Sequence, residues 1–151
     1  MIRIETLPPD IRPGIERAKT VLQGEERVLF AYLFGGVARG RVTPLSDIDV
    51  AVYETVTENL GVFKLDLFTR LAAALGTDEL DLVLLGRAPV SLAGRVLQDR
   101  VVLVDKHPHR RHVYESLTLR KFFDFRIKEE ELFRRRFARR RGEQSTGEKH
   151  G

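Results

Sequence analysis

The chain contains no cysteine, which excludes a disulfide framework and a thiolate metal site. No apolar run reaches the roughly 20 residues that a membrane-spanning helix needs. The opening MIRIETLPPD lacks a charged region followed by a long apolar segment and a small-residue cleavage site. No signal peptide is therefore expected, and the default compartment is the cytoplasm. No internal repeat occurs. What remains is an ordinary globular composition: 151 residues, 42% hydrophobic and 32% charged, enough for one domain with a modest core. The net charge is +4 but unevenly placed. From Lys106 onward, 14 lysines and arginines face 7 acidic residues, whereas residues 1–105 carry a small acidic surplus. Such asymmetry points to a basic helix or tail with an acidic or nucleic-acid partner, or to a solvated helix.

Periodicity divides the chain into alternating strands and helices. Pro8-Pro9-Asp10 signals a helix start and Gly24 a stop, with Ile11, Ile15, Ala18 and Leu22 at helical spacing between them. VLFAYLFG (28–35) reads as a buried strand. SDIDVAVYE (46–54) alternates, with Ile48, Val50 and Val52 on one face and Asp47, Asp49 and Ala51 on the other. A helix is predicted over 57–75, a strand over 79–86, a short helix over 90–98 and a strand over 100–105. From Pro108 to about Arg141 the pattern predicts one long helix or two, followed by a polar tail over 142–151 that is expected to be disordered. This predicts a single α/β (α+β) domain over 1–141, with a small mixed sheet backed by helices.

The spacing of three carboxylates carries chemistry. Residues i and i+2 of a strand point the same way, so Asp47 and Asp49 stand side by side. Carboxylates that close repel, and one takes up a proton unless a cation lies between them. Oxygen ligands at this spacing suit Mg²⁺. Asp81, flanked by Leu80 and Leu82, points away from the side those leucines fill. If its strand neighbours the Asp-x-Asp strand, three carboxylates meet on one patch, enough for two-metal phosphoryl transfer. Taken alone, an Asp-x-Asp pair on a strand is more often a solvated face than a catalytic one.

Upstream, Gly35-Gly36 follows a strand directly, which permits a tight turn and close approach to a ligand. Val37-Ala38-Arg39-Gly40 then has the makings of a helical turn with free N–H groups for a phosphate. Arg39 adds positive charge for a triphosphate, and Ser46 a hydroxyl contact or a tie for the loop. Read alone, the glycine pair is more often a simple turn.

Together the segment GGVARGRVTPLSDIDVAV resembles the signature of the nucleotidyltransferase superfamily related to DNA polymerase beta: Gly-Ser or Gly-Gly, about ten residues, then Asp-x-Asp. More narrowly, Ala38-Arg39-Gly40 and Ser46-Asp47-Ile48-Asp49 resemble the minimal nucleotidyltransferase (MNT) proteins, with Asp81 at the third carboxylate. The resemblance covers roughly residues 10–130. It implies a polymerase beta-like fold, with Asp47, Asp49 and Asp81 as metal ligands, one or two Mg²⁺, and Gly35, Gly36, Arg39, Gly40 and Ser46 around the phosphates. It further implies ATP as donor, AMP as the group transferred and Asp81 as ligand and base. The implied partner is a HEPN-domain ribonuclease toxin, for which the MNT protein is the antitoxin and, in some pairs, adenylylates a tyrosine. One position departs from the pattern: the usual loop serine is Gly36 here, leaving the metal site intact but weakening the phosphate contact.

The C-terminal third adds Phe122, Phe123, Phe125, Phe133 and Phe137, more aromatics than one helical stripe holds. Glu130–Arg134 and Glu131–Arg135 are i,i+4 pairs. RRRFARRR (134–141) suits RNA phosphates, a protein partner or a solvated helix end. His107, His109 and His112 cluster at a helix start without partners for a metal. Three alternatives to an active antitoxin enzyme stand: an MNT-fold antitoxin acting by contact only, an RNA-binding module using the arginines, and an antibiotic-modifying nucleotidyltransferase, for which the chain is short.

Overall fold

The structure, a computed structural model, describes residues 11–40 and 47–148, with side chains as far as residue 139. Its centre is β1 (Val28–Phe34), an unbroken apolar run because both of its faces are covered. β2 (Ile48–Glu54) and β4 (Val101–Asp105) flank it antiparallel, and β3 (Leu80–Leu84) adds to β2 in parallel, giving the order β3-β2-β1-β4. A parallel neighbour needs a crossover. α3 (Leu60–Leu75) supplies it.

Helices cover both faces. α1 (Arg12–Gly24) and α3 set Ile15, Ala18, Leu22, Phe63, Leu67 and Leu71 against Val50, Val52 and Leu82. On the opposite face, α4 (Val90–Gln98) places Ala93, Val96 and Leu97 over Phe30, Tyr32, Ala51 and Val83. Each large side chain fully withdrawn from water contributes about 1.5–3 kcal/mol, so both layers matter. α5 (Pro108–Glu148) packs its first turns on α4. The contact is close: a Cβ at Gly94 would overlap the Phe122 ring.

Two ion-pair clusters pin these layers. Glu25, 6% exposed, accepts from the backbone N–H of Arg27 at 3.0 Å, from Arg27 Nε at 2.7 Å and from Arg70 of α3. Both arginines also reach Asp66. Across the sheet, Arg111 of α5 bonds Asp105 at 2.8 Å and Glu115, and Glu115 lies 2.9 Å from Arg100.

The mixed sheet and the alternation of elements agree with the sequence reading, and four details sharpen it. The sheet has helices on both faces: Ala51, on the Asp49 side of β2, is as buried as Val52. α3 begins at Leu60 rather than 57, because Asn59 adopts a left-handed conformation (φ 53°) that breaks the entering chain. α5 is one helix, and its backbone runs on past Arg141 to Glu148. α1 begins at Arg12 with Pro13 in its first turn, while the Pro8-Pro9-Asp10 signal lies outside the described residues. Among the described residues no helix is long and apolar enough to cross a membrane.

Candidate active site

The site forms where β1 runs out. β1 ends at Phe34, which pairs across the sheet with Asp49. The chain must turn there without colliding with that carboxylate. Gly35 does this with φ +74°, in the region that favours glycine, and a Cβ on it would sit well inside contact distance of Asp49 Oδ2. A short helical turn, α2 (Gly35–Ala38), follows. It is closed by Arg39 N–H to Gly35 O at 3.1 Å and Gly40 N–H to Val37 O at 3.0 Å. Gly36 lies inside this turn and is not among the glycines of positive φ.

Asp49 stands directly opposite Asp81 in the parallel β2–β3 pairing. Paired strands lie about 4.8 Å apart and opposed residues share a face, so these two carboxylates are neighbours. Asp47, two residues before Asp49 along the chain, is exposed, as is Asp81, while Asp49 is half-buried. Burial, then the charges of Asp81 and Asp47, push the Asp49 carboxyl up to about 6, and Arg39 opposes them. Asp49 has no ion-pair partner among the described residues. The Asp47–Asp49–Asp81 grouping expected from sequence is thus brought to one end of the sheet as an under-neutralised patch. Among the described residues no group of three or more His, Asp or Glu side chains stands in positions that could hold a metal ion, so the three carboxylates share one end of the sheet without being drawn together as ligands. The donors, all carboxylate oxygens with surplus negative charge, fit a hard divalent cation such as Mg²⁺ in their chemistry.

Arg39 sits beside this patch, half-exposed, with its Nε 3.7 Å from Asp99 Oδ2 at the end of α4. Asp99 is a neighbour that sequence reasoning missed. Nothing local marks it, because only the packing of α4 brings it to the glycine turn. Ser46 lies outside the described residues. The histidine cluster is a helix start: His107 Nδ1 accepts from the Arg110 N–H at 3.2 Å in the first turn of α5.

Comparison with known proteins agrees with this geometry. The family model described as Polymerase beta, Nucleotidyltransferase matches residues 16–109. A search of curated proteins returned no match. Among solved structures, a chain of a toxin–antitoxin complex with AMP-PNP shares 22% identity at a TM-score of 0.68, covering 82% of this chain and 98% of that one. A chain of the MntA–HepT toxin–antitoxin shares 22% at 0.62, covering 82% and 97%. A complex of tri-AMPylated Shewanella oneidensis HEPN toxin with MNT antitoxin gives 21% at 0.63, covering 82% and 96%. At these identities the structural likeness establishes the fold, and the family match spans most of the chain, from α1 through the carboxylate strands to the start of α5. The chain belongs to the polymerase beta nucleotidyltransferase family.

Proposed function

We propose that this protein is the antitoxin of a HEPN–MNT pair, a cytoplasmic enzyme that transfers AMP from ATP to a tyrosine hydroxyl of its HEPN ribonuclease partner. The observation that carries the reading is the register: Asp49 opposes Asp81 and lies against Gly35. A phosphate-approaching turn and a pair of carboxylates therefore share one corner of a polymerase beta-type fold. The neighbouring structures supply the partner, since they contain MNT antitoxin with AMPylated HEPN toxin and a toxin–antitoxin with AMP-PNP.

In this reading Asp47, Asp49 and Asp81 would hold Mg²⁺, which when bound neutralises the triphosphate and polarises the α-phosphorus. The N–H groups at the start of the Gly35–Ala38 turn, which the turn's own hydrogen bonds from Arg39 and Gly40 leave unused, would orient the phosphates, with the Ser46 hydroxyl as a further candidate outside the described residues. Arg39 offers its guanidinium to them. Asp81, exposed at the sheet edge, receives the proton of the acceptor hydroxyl. The hydroxyl oxygen bonds to the α-phosphorus, the bond to the β-phosphate oxygen breaks, and pyrophosphate leaves. Chemistry of this kind is mostly positioning and charge neutralisation.

The test is direct. The purified protein is incubated with the HEPN-domain product of its neighbouring reading frame, ATP and Mg²⁺, and the partner's intact mass is measured. An increase by one or more AMP units, absent without Mg²⁺, is expected. A stable complex whose mass never changes would establish the second reading, neutralisation by contact alone, which Gly36 in place of the usual serine favours.

A further inference from the structure

Arg39 is the only polar side chain in the segment 35–40, and with glycine at 36 no hydroxyl accompanies it. Whatever places its guanidinium therefore decides what the turn's side chains can do for a phosphate. The backbone of Arg39 is set by its N–H bond to Gly35 O. The side chain, 45% exposed, is long and has many rotamers open to it. Two acidic neighbours compete for it. One is the Asp47–Asp49–Asp81 patch: the Arg39 charge already reaches Asp49, yet the two form no ion pair. The other is Asp99, 3.7 Å away and the one ion-pair partner of Arg39 among the described residues.

Asp99 is not explained by its own helix. It closes α4 at the C-terminal end (φ −105°, ψ 8°), where the last carbonyls gather negative partial charge and an acidic side chain costs about 0.3–1 kcal/mol. Its backbone is firmly seated all the same. Val96 and Leu97 before it are fully buried, and Val101 after it begins β4 at 2% exposure. Arg100 donates from Nη1 to Leu97 O at 2.6 Å while its Nε faces Glu115 at 2.9 Å. A surface carboxylate on such a base is a fixed charge. At 3.7 Å it is too far from Arg39 Nε for a hydrogen bond, so it draws the guanidinium without occupying its N–H donors. Those donors stay available for a phosphate, which a guanidinium can take two at a time.

We propose that Asp99 is a positioning residue that holds Arg39 at the glycine turn and off the three-carboxylate patch, so that the guanidinium meets a nucleoside triphosphate instead of neutralising Asp49. This role rests on the reading of the corner as a nucleotide site.

The two effects of Asp99 on an anionic ligand have opposite signs. As a bare negative charge near a triphosphate it weakens binding, and its removal should tighten it. As the residue that positions Arg39, its removal should loosen it. The full chain is titrated calorimetrically with AMP-PNP in the presence of Mg²⁺. Arg39→Ala should weaken binding about 10–100-fold, through loss of charge-assisted hydrogen bonds. Asp99→Asn should weaken it about three- to tenfold, a part of the same interaction. Asp99→Glu, which keeps the charge, should restore most of the affinity. In the Arg39→Ala background, Asp99→Asn should have no effect or tighten binding, whereas a folding defect would weaken binding in both backgrounds alike. The pair is partly solvated and contributes at most about 1 kcal/mol to stability, so Asp99→Asn should melt within a few degrees of wild type. A wild type that binds AMP-PNP, with Asp99→Asn binding it equally or more tightly, would overturn the positioning role and leave the nucleotide site standing. A wild type that binds no AMP-PNP would overturn both.

Discussion

Glu25 and Asp49 are both acidic residues close to the ends of β1, and their surroundings push them in opposite directions. Glu25 is held by Arg27 and Arg70, and the hydrogen bonds from Arg27 keep its carboxyl down at about 2 despite burial. Asp49 is half-buried beside two more carboxylates, with Arg39 as the only cation near it among the described residues, and rises to about 6. A carboxylate that serves the fold has its charge answered within the chain. One that awaits a ligand does not, and unanswered charge of this kind collects at functional sites. The two corners also set opposite pH dependences. Glu25 contributes stability that is present above its ordinary value of 4.5 and is lost as pH falls towards 2. Asp49 contributes stability that is present below 3.8 and is lost as pH rises through about 6.

The largest expected effect lies at the unanswered corner. Asp49→Asn or Asp81→Asn should lower AMP transfer about 10²–10³-fold, read as the initial rate of partner labelling, with the complex still forming. A rate within threefold of wild type would remove these carboxylates from the chemistry. Gly35→Ala comes next. It forces a side chain into a positive-φ position and against Asp49, and should cost about 10²-fold in rate through displacement of that carboxylate and about 1–3 kcal/mol in stability, measured by urea denaturation. At the answered corner, Glu25→Ala strands two arginines that are themselves partly solvated, so a loss of about 2 kcal/mol is expected. The variant should also lose the acid limb between pH 4.5 and 2 in thermal melts.

A subtler contrast sharpens the comparison. In chelator at pH 8, Asp49→Asn should raise stability by about 1–2 kcal/mol and flatten the decline from pH 4 to 7, while lowering transfer as above. If it lowers stability instead, Asp49 is a structural residue like Glu25. The smallest effect is expected at Gly36→Ser. Gly36 does not occupy a positive-φ conformation, so a serine fits the backbone there and should leave transfer unchanged or raise it severalfold through a hydroxyl to phosphate. A steep loss would show that the turn requires glycine at both positions.

Much of this was legible in one dimension because it rests on local rules. Alternation in β2 fixes which side Asp49 occupies, a glycine pair after an apolar run marks the turn, and short periodic segments mark α1, α3 and α4. The chain alone also carried the charge asymmetry of α5. Tertiary structure decided the rest, since it depends on which elements meet. Parallel pairing sets Asp81 opposite Asp49 rather than beside another residue of β2. The close approach of β1's end to β2 makes Gly35 obligatory. α4 delivers Asp99 to Arg39 and lets Phe122 settle on Gly94, so the second face of the sheet, half polar by its pattern in β2, becomes a core. Among the described side chains the same packing ends at Phe122. A periodic pattern states that a stripe is apolar, but only the extent of the body tells which part of it is already covered.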